Sequence, residues 1–378
     1  MKVGTYFCDN YDLEKIYKIF SENIKQYIDE KNVFKDGRKI LLKPNLVSIR
    51  KPDENITTHT KVIEAIIKYL KNFNLKIFIG DNPGAPYNDL NKLYEITGIN
   101  ELANKYNIKT IKFTDFPLLK IEFKNRPIYL ANVLNDFDYI INIPKLKTHT
   151  LTVLTGAVKN LFGFIPGMYK IKYHSEFQTS YDFSEAMIYF SEKINPKIIL
   201  NIVDGIIGME GSGPTAGDKI KLNTIIIGNS IYEVDYIIAN LVKAKPEQIP
   251  SILISQKKGL LKVDKINIIA NEIRSYEQFK IPKTNILFNI LPGIAYKIGA
   301  KVFSIKPELI KEKCSQCFLC VKSCPVNAIS KKDNYPYFDY DKCIQCFCCS
   351  ELCPKIAIKH KESVVVKLYQ HLHKIKHK

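Results

Sequence analysis

Apolar residues recur along this chain in two rhythms. Leu13, Ile16, Ile19, Phe20, Ile24 and Tyr27 fall at helical spacing, which predicts a surface helix over residues 11–34. The stretch KILLKPNLV, residues 39–47, is instead almost continuously apolar, the mark of a buried strand that enters a loop at Pro44. Residues 60–73 predict a helix with Thr57 and Thr58 as its cap. A second strand over 75–80 ends in Asp81-Asn82-Pro83-Gly84, a strong turn signal. Further strands are expected near 110–113 and at 138–143, 197–203 and 223–227, with helices at 175–193 and 231–243. Strand, helix and strand in close succession require a largely parallel sheet covered by helices. The expected fold class is therefore α/β over residues 1–306.

Beyond Lys306-Pro307, the expected linker, the pattern changes. CSQCFLCVKSCP begins at Cys314, and after seventeen residues CIQCFCCSELCP begins at Cys343. Each run is C-x2-C-x2-C-x3-C-P, the bacterial-type spacing that ligates [4Fe–4S] clusters. Three thiolates at three-residue steps wrap one cubane, and the fourth, followed by proline, turns to the other. On that rule Cys314, Cys317, Cys320 and Cys353 hold one cluster, and Cys343, Cys346, Cys349 and Cys324 hold the second. Zinc sites pair two C-x2-C units and suit the pattern less well. Similar apolar steps, Val326-Asn327-Ala328-Ile329 and Lys355-Ile356-Ala357-Ile358, follow the two prolines and make the unit an internal repeat. Cys348 fits neither cluster and reads as a small buried side chain. The expected organisation is an α/β domain at 1–306, a small α+β dicluster ferredoxin module at 307–360 and a basic amphipathic tail at 361–378.

Nine of the ten cysteines lie in this module and only Cys8 lies outside it. That distribution, with an N-terminus unlike a signal peptide and no spanning apolar stretch, leads to the expectation of a reducing, cytoplasmic setting. The segment 286–303 is apolar but is interrupted by Pro292, Gly293 and Lys297. In the tail, Val365, Leu368, Leu372 and Ile375 fall at helical spacing amid lysines and histidines, so a peripheral membrane contact is an alternative to packing on the protein. The formal charge is +18. A basic surface attracts nucleic acid, anionic lipid or an acidic redox partner. No nucleic-acid module accompanies the charge, which makes nucleic acid the least favoured partner.

Four polar stretches are expected as loops at the carboxyl ends of strands, where ligands gather in open parallel sheets. They are Lys43-Pro44-Asn45 with Thr58-His59, the turn at Asp81, the long span from Pro144 to His174, and Asp204-Gly205 with the glycines to Gly217. Three of the seven histidines, His59, His149 and His174, lie in these stretches. From Ile143 to His174 there are five lysines and no acid, which suits a phosphate or carboxylate ligand. Lys43, Lys145, Lys147 and Lys159 are the candidate anion-binding residues, and His149, His174 and Lys159 the candidate catalytic ones. Asp204, Glu210 and Asp235 are candidates for a cation or proton transfer, with a cap for Asp204 and turn chemistry for the glycines as equal alternatives. No G-x-G-x-x-G and no P-loop motif occurs.

Lys43-Pro44-Asn45-Leu46-Val47, Pro144 to His149, Thr155 to Asn160, and Asp204-Gly205 with Gly208 to Pro214 occur in this order. In that combination the chain resembles the family called domain of unknown function 362, in the form fused to a C-terminal dicluster ferredoxin. The resemblance implies iron–sulfur binding and a cytoplasmic protein, but supplies no reaction. The expectation is an iron–sulfur electron-transfer protein, with two [4Fe–4S] clusters serving an oxidoreductase that acts on an anionic small molecule. The alternatives are a carrier or adaptor for a separate redox enzyme and, less favoured, a nucleic-acid-associated factor.

Overall fold

The computed structural model describes residues 1–84, 89–167, 169–270, 275–282 and 305–362. The segment 286–303 and the tail beyond Glu362 lie outside the described residues.

Strands β1 (Lys2–Phe7), β2 (Lys39–Pro44), β3 (Lys76–Ile79) and β4 (Lys109–Thr110) open the chain, followed by the hairpin β5 (Leu118–Phe123) and β6 (Arg126–Ala131). β7 (Tyr139–Ile143), β8 (Lys145–His149), β9 (Val153–Thr155), β10 (Ile198–Glu210), β11 (Asp218–Gly228) and β12 (Asn267–Ala270) complete the domain. The large sheet runs β12-β1-β11-β10-β7-β2-β3-β4, with β8 on β10 and β9 on β8. The β10-β7-β2-β3-β4 half is wholly parallel, and β11 is antiparallel to both β1 and β10. The fold is α/β, as expected.

Why the strands read as continuous apolar runs is visible in their packing. Ile40 and Leu42 of β2, Ile141 and Ile143 of β7, and Ile225 and Ile227 of β11 face one core, with helices Leu13–Asn23 and Thr60–Leu70. Leu41, Ile140 and Ile226 alternate to the opposite core, with helices Ser180–Ile194 and Ile231–Leu241. Both faces are buried, so period-two polarity disappears.

Several elements differ from expectation. The helix expected over 11–34 ends at Asn23, and Glu30–Val33 forms a separate short turn after Asp29. The helix expected over 175–193 begins earlier as Tyr169–Glu176 and restarts at Ser180, where the Thr179 side chain caps the amide of Asp182. His59, not a threonine, caps helix Thr60–Leu70 through a bond from the Lys61 amide; Thr58 is occupied by the Ile143 carbonyl. Near Thr110 the strand is only two residues long, and Phe113–Asp115 is a 3₁₀ turn.

Two expected loops are strands. Pro144 interrupts β7, and the polar stretch after it becomes β8, buried throughout. Asp204-Gly205 lies inside β10, at an irregularity in its pairing with β11. Sequence polarity there marks buried ion pairing, not solvent. The β5–β6 hairpin, turning through Lys124 and Asn125 with φ of 49° and 60°, has the left-handed geometry of a two-residue hairpin loop.

The expected linker is also structured. β13 (Ile305–Leu309) pairs antiparallel with β16 (Ile358–Glu362), and Pro307 is tolerated in this two-stranded sheet. Between them, β14 (Ile329–Lys332) and β15 (Tyr335–Phe338) form a hairpin beside the two cysteine runs.

Candidate functional site between the sheet and the cysteine module

The lysines singled out by sequence divide into two kinds. Lys43, at the end of β2, is fully buried and lies 2.7 Å from Asp81, whose other oxygen accepts the Leu46 amide. Lys145, at the start of β8, is equally buried and lies 2.8 Å from Asp204 of β10. Its ammonium also donates to the Tyr11 hydroxyl, which donates in turn to Asp204. The His59 amide donates to Asp204 too, and the His59 ring stacks on Tyr11 at 3.7 Å. Both pairs are complete internal assemblies. Lys43 and Lys145 therefore have their counter-ions within the fold, which weighs against their role as free anion ligands.

Lys147, Lys159 and Lys170 are different. Lys147 donates to the Ile56 carbonyl, and Lys170 to the carbonyls of Asn82 and Pro83. Lys159 lies over the Phe162 ring at 4.3 Å and makes no hydrogen bond or ion pair among the described residues. None of the three has a carboxylate in contact among the described residues. Burial pushes them down from 10.5, Lys147 and Lys170 to about 7 and Lys159 to about 8.

A buried carboxylate aims Lys159. Asp235 of helix Ile231–Leu241 accepts the amides of Ala157 and Val158 and so caps the short turn Ala157–Asn160. A Cβ at Gly156 would lie 2.0 Å from Asp235, so only glycine permits this approach. Burial raises Asp235 to about 7, with the two amides opposing. From the other side Asn160 bonds to Asn45 and Asn142, tying the turn to β2 and β7. Asp235 is thus a cap, a role the sequence did not suggest for it. Glu210 accepts the Lys280 amide and lies near the Lys280 ammonium.

His149 and His174, far apart in sequence, come to the same place; His59 does not. Nδ1 of His149 accepts the Leu151 amide, leaving Nε2 facing the Glu351 carboxylate at 3.1 Å. His174 stacks on Phe183, and its buried Nδ1 has no hydrogen-bond partner among the described residues. Burial lowers both histidines, His174 to about 3, so His174 is neutral. Burial alone would raise Glu351, but His149 and Lys159 hold it at about 2.

Glu351 belongs to the cysteine module, on the short helix Cys348–Glu351. This helix docks against the α/β domain. The Ser350 carbonyl accepts from Thr215, and the Cys353 carbonyl from Arg50. The result is a cavity of about 70 Å³ with walls from both parts of the chain. Asn45, Asp81, Asn82, Lys159, Lys170 and His174 line one side, and Cys348, Glu351 and Leu352 the other. It has room for about five water-sized groups. Sequence reasoning named Lys159 and His174 but missed Lys170, which lies in the same acid-free span. It also missed Glu351, which is hidden among cysteines.

The cysteine runs suit a group larger than one ion. All ten cysteines are free thiols, and a second cavity is ringed by Cys314, Cys317, Cys320 and Cys353. Burial, with the neighbouring Cys353, Cys317 and Cys314, pushes the Cys320 thiol up to about 12. Cys343 feels Cys346 and Cys324 in the same way. Gathered thiols of this kind call for a cationic group to hold them as thiolates. Both runs wind through left-handed residues at equivalent steps, Gln316 and Phe318 in one, Gln345 and Phe347 in the other. The amides of Ala328 and Ala357 donate to the sulfurs of Cys324 and Cys353.

Comparison with known families agrees with this division. Residues 40–240 match the model of the Domain of unknown function (DUF362), and residues 313–357 match that of a 4Fe-4S dicluster domain. The chain belongs to the DUF362 family. Its C-terminal module is an iron–sulfur electron-transfer domain. The thylakoid-associated protein sll1697 of Synechocystis sp. is 29% identical over 230 residues, covering 61% of this chain and 70% of that protein. Among solved structures, the lactate racemase apoprotein of Thermoanaerobacterium thermosaccharolyticum superposes with a TM-score of 0.40 at 12% identity, over 62% of this chain and 56% of that one. A Thermotoga maritima protein gives 0.35 at 13%, over 54% and 52%. The chain spans little more than half of either, and likeness at this level supports no functional transfer. No helix among the described residues is long and apolar enough to cross a membrane.

Proposed function

We propose that this DUF362 protein is a ferredoxin-linked oxidoreductase that acts on an anionic small molecule in the cavity between its α/β domain, residues 1–306, and its cysteine module, residues 307–360. The observation that carries the reading is the shared wall. Lys159, Lys170 and His174 face the same 70 Å³ as Cys348 and Glu351. Two [4Fe–4S] clusters complete the reading, one on Cys314, Cys317, Cys320 and Cys353, the other on Cys343, Cys346, Cys349 and Cys324. When bound, they supply single electrons at low potential.

In this reading Lys159 and Lys170 hold the anion, their charges lacking a carboxylate partner among the described residues. His174, neutral and with an unpartnered Nδ1, exchanges a proton with the ligand; His149 and Glu351 hold the charge balance beside it. The cysteine usage continues to favour a cytoplasmic setting.

The test is anaerobic. The reduced holoprotein, its clusters verified by EPR, is mixed with small-molecule fractions of a cell extract while optical reoxidation is followed. Fast reoxidation by one fraction, slowed at least tenfold in Lys159→Ala and His174→Ala with unchanged EPR, supports the reading. Acceptance of electrons by protein fractions alone, with both variants like wild type, makes the chain a carrier instead.

A further inference from the structure

The two cysteine runs, alike in sequence, meet different surroundings. Cys346, Cys348 and Cys349 sit on the arm that packs against the α/β domain, and Cys348 and Cys349 are buried. On the other arm Cys317 is exposed, within the open stretch Lys311–Cys317. One side of the module thus meets the substrate cavity and the other meets solvent.

Charge follows the same division. Lys342 pairs with Asp339, and Lys359 and Lys361 both pair with Glu308. Around the exposed arm, Lys311, Lys313, Lys322, Lys331 and Lys332 are all exposed and form no ion pair among the described residues. Three of these are held on aromatic faces of the module itself. Lys331 lies over Phe318 at 4.9 Å, Lys311 over Tyr335 at 5.4 Å and Lys332 over Tyr337 at 5.4 Å. Their ammoniums stand over the rings, and the three lysines stay exposed. Tyr337 itself is 53% exposed, adding an apolar contact to a cationic rim.

We propose that the face built from Lys311–Cys317 and the β14–β15 hairpin is the docking surface for a small acidic protein that carries electrons. Two properties select this occupant. The exposed Cys317 would hold an iron–sulfur centre on that arm close to the surface, where a protein redox partner would make its exchange. The unpaired lysines complement an acidic patch and steer its approach, as complementary charge does for transient redox encounters. The interface is small and wet, in keeping with a partner that must leave after each exchange. The proposal does not depend on the identity of the anion in the inner cavity.

The experiment measures binding of a purified acidic [2Fe–2S] ferredoxin to the full-length holoprotein by anaerobic interferometry at two salt concentrations. Binding should weaken about tenfold or more between 20 and 200 mM salt, since the contact is between exposed charges. Lys331→Glu with Lys332→Glu should weaken low-salt binding by about tenfold and flatten the salt dependence. Lys71→Glu with Lys76→Glu, equally exposed on the α/β domain, should leave it unchanged. EPR of both variants, unchanged from wild type, checks that the module is intact. Equal losses in the two double variants, no loss in either, or displacement of the ferredoxin by single-stranded RNA at lower concentration would each overturn the assignment.

Discussion

Lys43 and Lys145 are buried like Lys147 and Lys170, with Lys159 half-buried beside them, yet the two groups answer to different physics. The first two meet a carboxylate at 2.7 and 2.8 Å, and further hydrogen bonds satisfy Asp81 and Asp204. The other three meet carbonyls and rings. Burial without a counter-ion costs free energy, and a fold retains such groups where something else gains from them. Paired lysines hold the sheet together; Lys159 and Lys170, with no carboxylate in contact among the described residues, line the cavity for which an anion is proposed. The buried polar residues of one stretch thus split into scaffold and site by what stands opposite each.

The largest effect is expected at Asp204. Asp204→Ala strands the buried ammonium of Lys145 and should cost about 3–5 kcal/mol, read as a fall in the urea midpoint. A loss below about 1 kcal/mol would mean that the pair is not structural. Lys159→Ala should do the reverse. It should leave the midpoint within about 1 kcal/mol of wild type while lowering ligand-dependent reoxidation about a hundredfold, because it removes an interaction made to the ligand and not to the fold.

A smaller loss is expected at Gly163, where a Cβ would lie 2.2 Å from Asp81 and 2.6 Å from Lys43. Gly163→Ala should therefore destabilise by about 1–3 kcal/mol by wedging into that pair, whereas a neutral result would show that the pair can shift. The pH dependence of stability sharpens the contrast further. Between pH 8 and 10.5 the unfolded chain keeps protons on Lys147, Lys159 and Lys170 that the folded chain has released. Their contribution to stability is full above 10.5 and is lost as pH falls through 8 to 7, so the urea midpoint should gain a rising component with pH. Lys170→Met should remove part of that slope. The smallest effect is predicted for Cys348→Ala, which should leave the cluster EPR unchanged and stability within about 1 kcal/mol. A lost signal would make Cys348 a ligand.

The cysteine spacing and the α/β alternation were legible because both are local. Cluster ligation is written in steps of three residues, and a doubly covered strand is written as an unbroken apolar run. The loops were harder. Lys145 to His149 looks solvated by composition, yet it forms a buried strand because Asp204, Glu351 and backbone groups satisfy it from distant positions. His59 resembled His149 and His174 in sequence context, but its stacking on Tyr11 takes it to another cluster.

By itself, the sequence determined the fold class, the iron–sulfur module and the neighbourhood of Lys159 and His174. Each of these depends on short-range periodicity or on fixed ligand spacing. Only the tertiary structure decided which lysines have counter-ions, that Lys170 and Glu351 face the same cavity, and which cysteine arm turns outward. Charge pairing and cavity formation depend on side chains brought together across the fold, such as Glu351 and His149 from distant points of the chain, and no local pattern encodes that meeting.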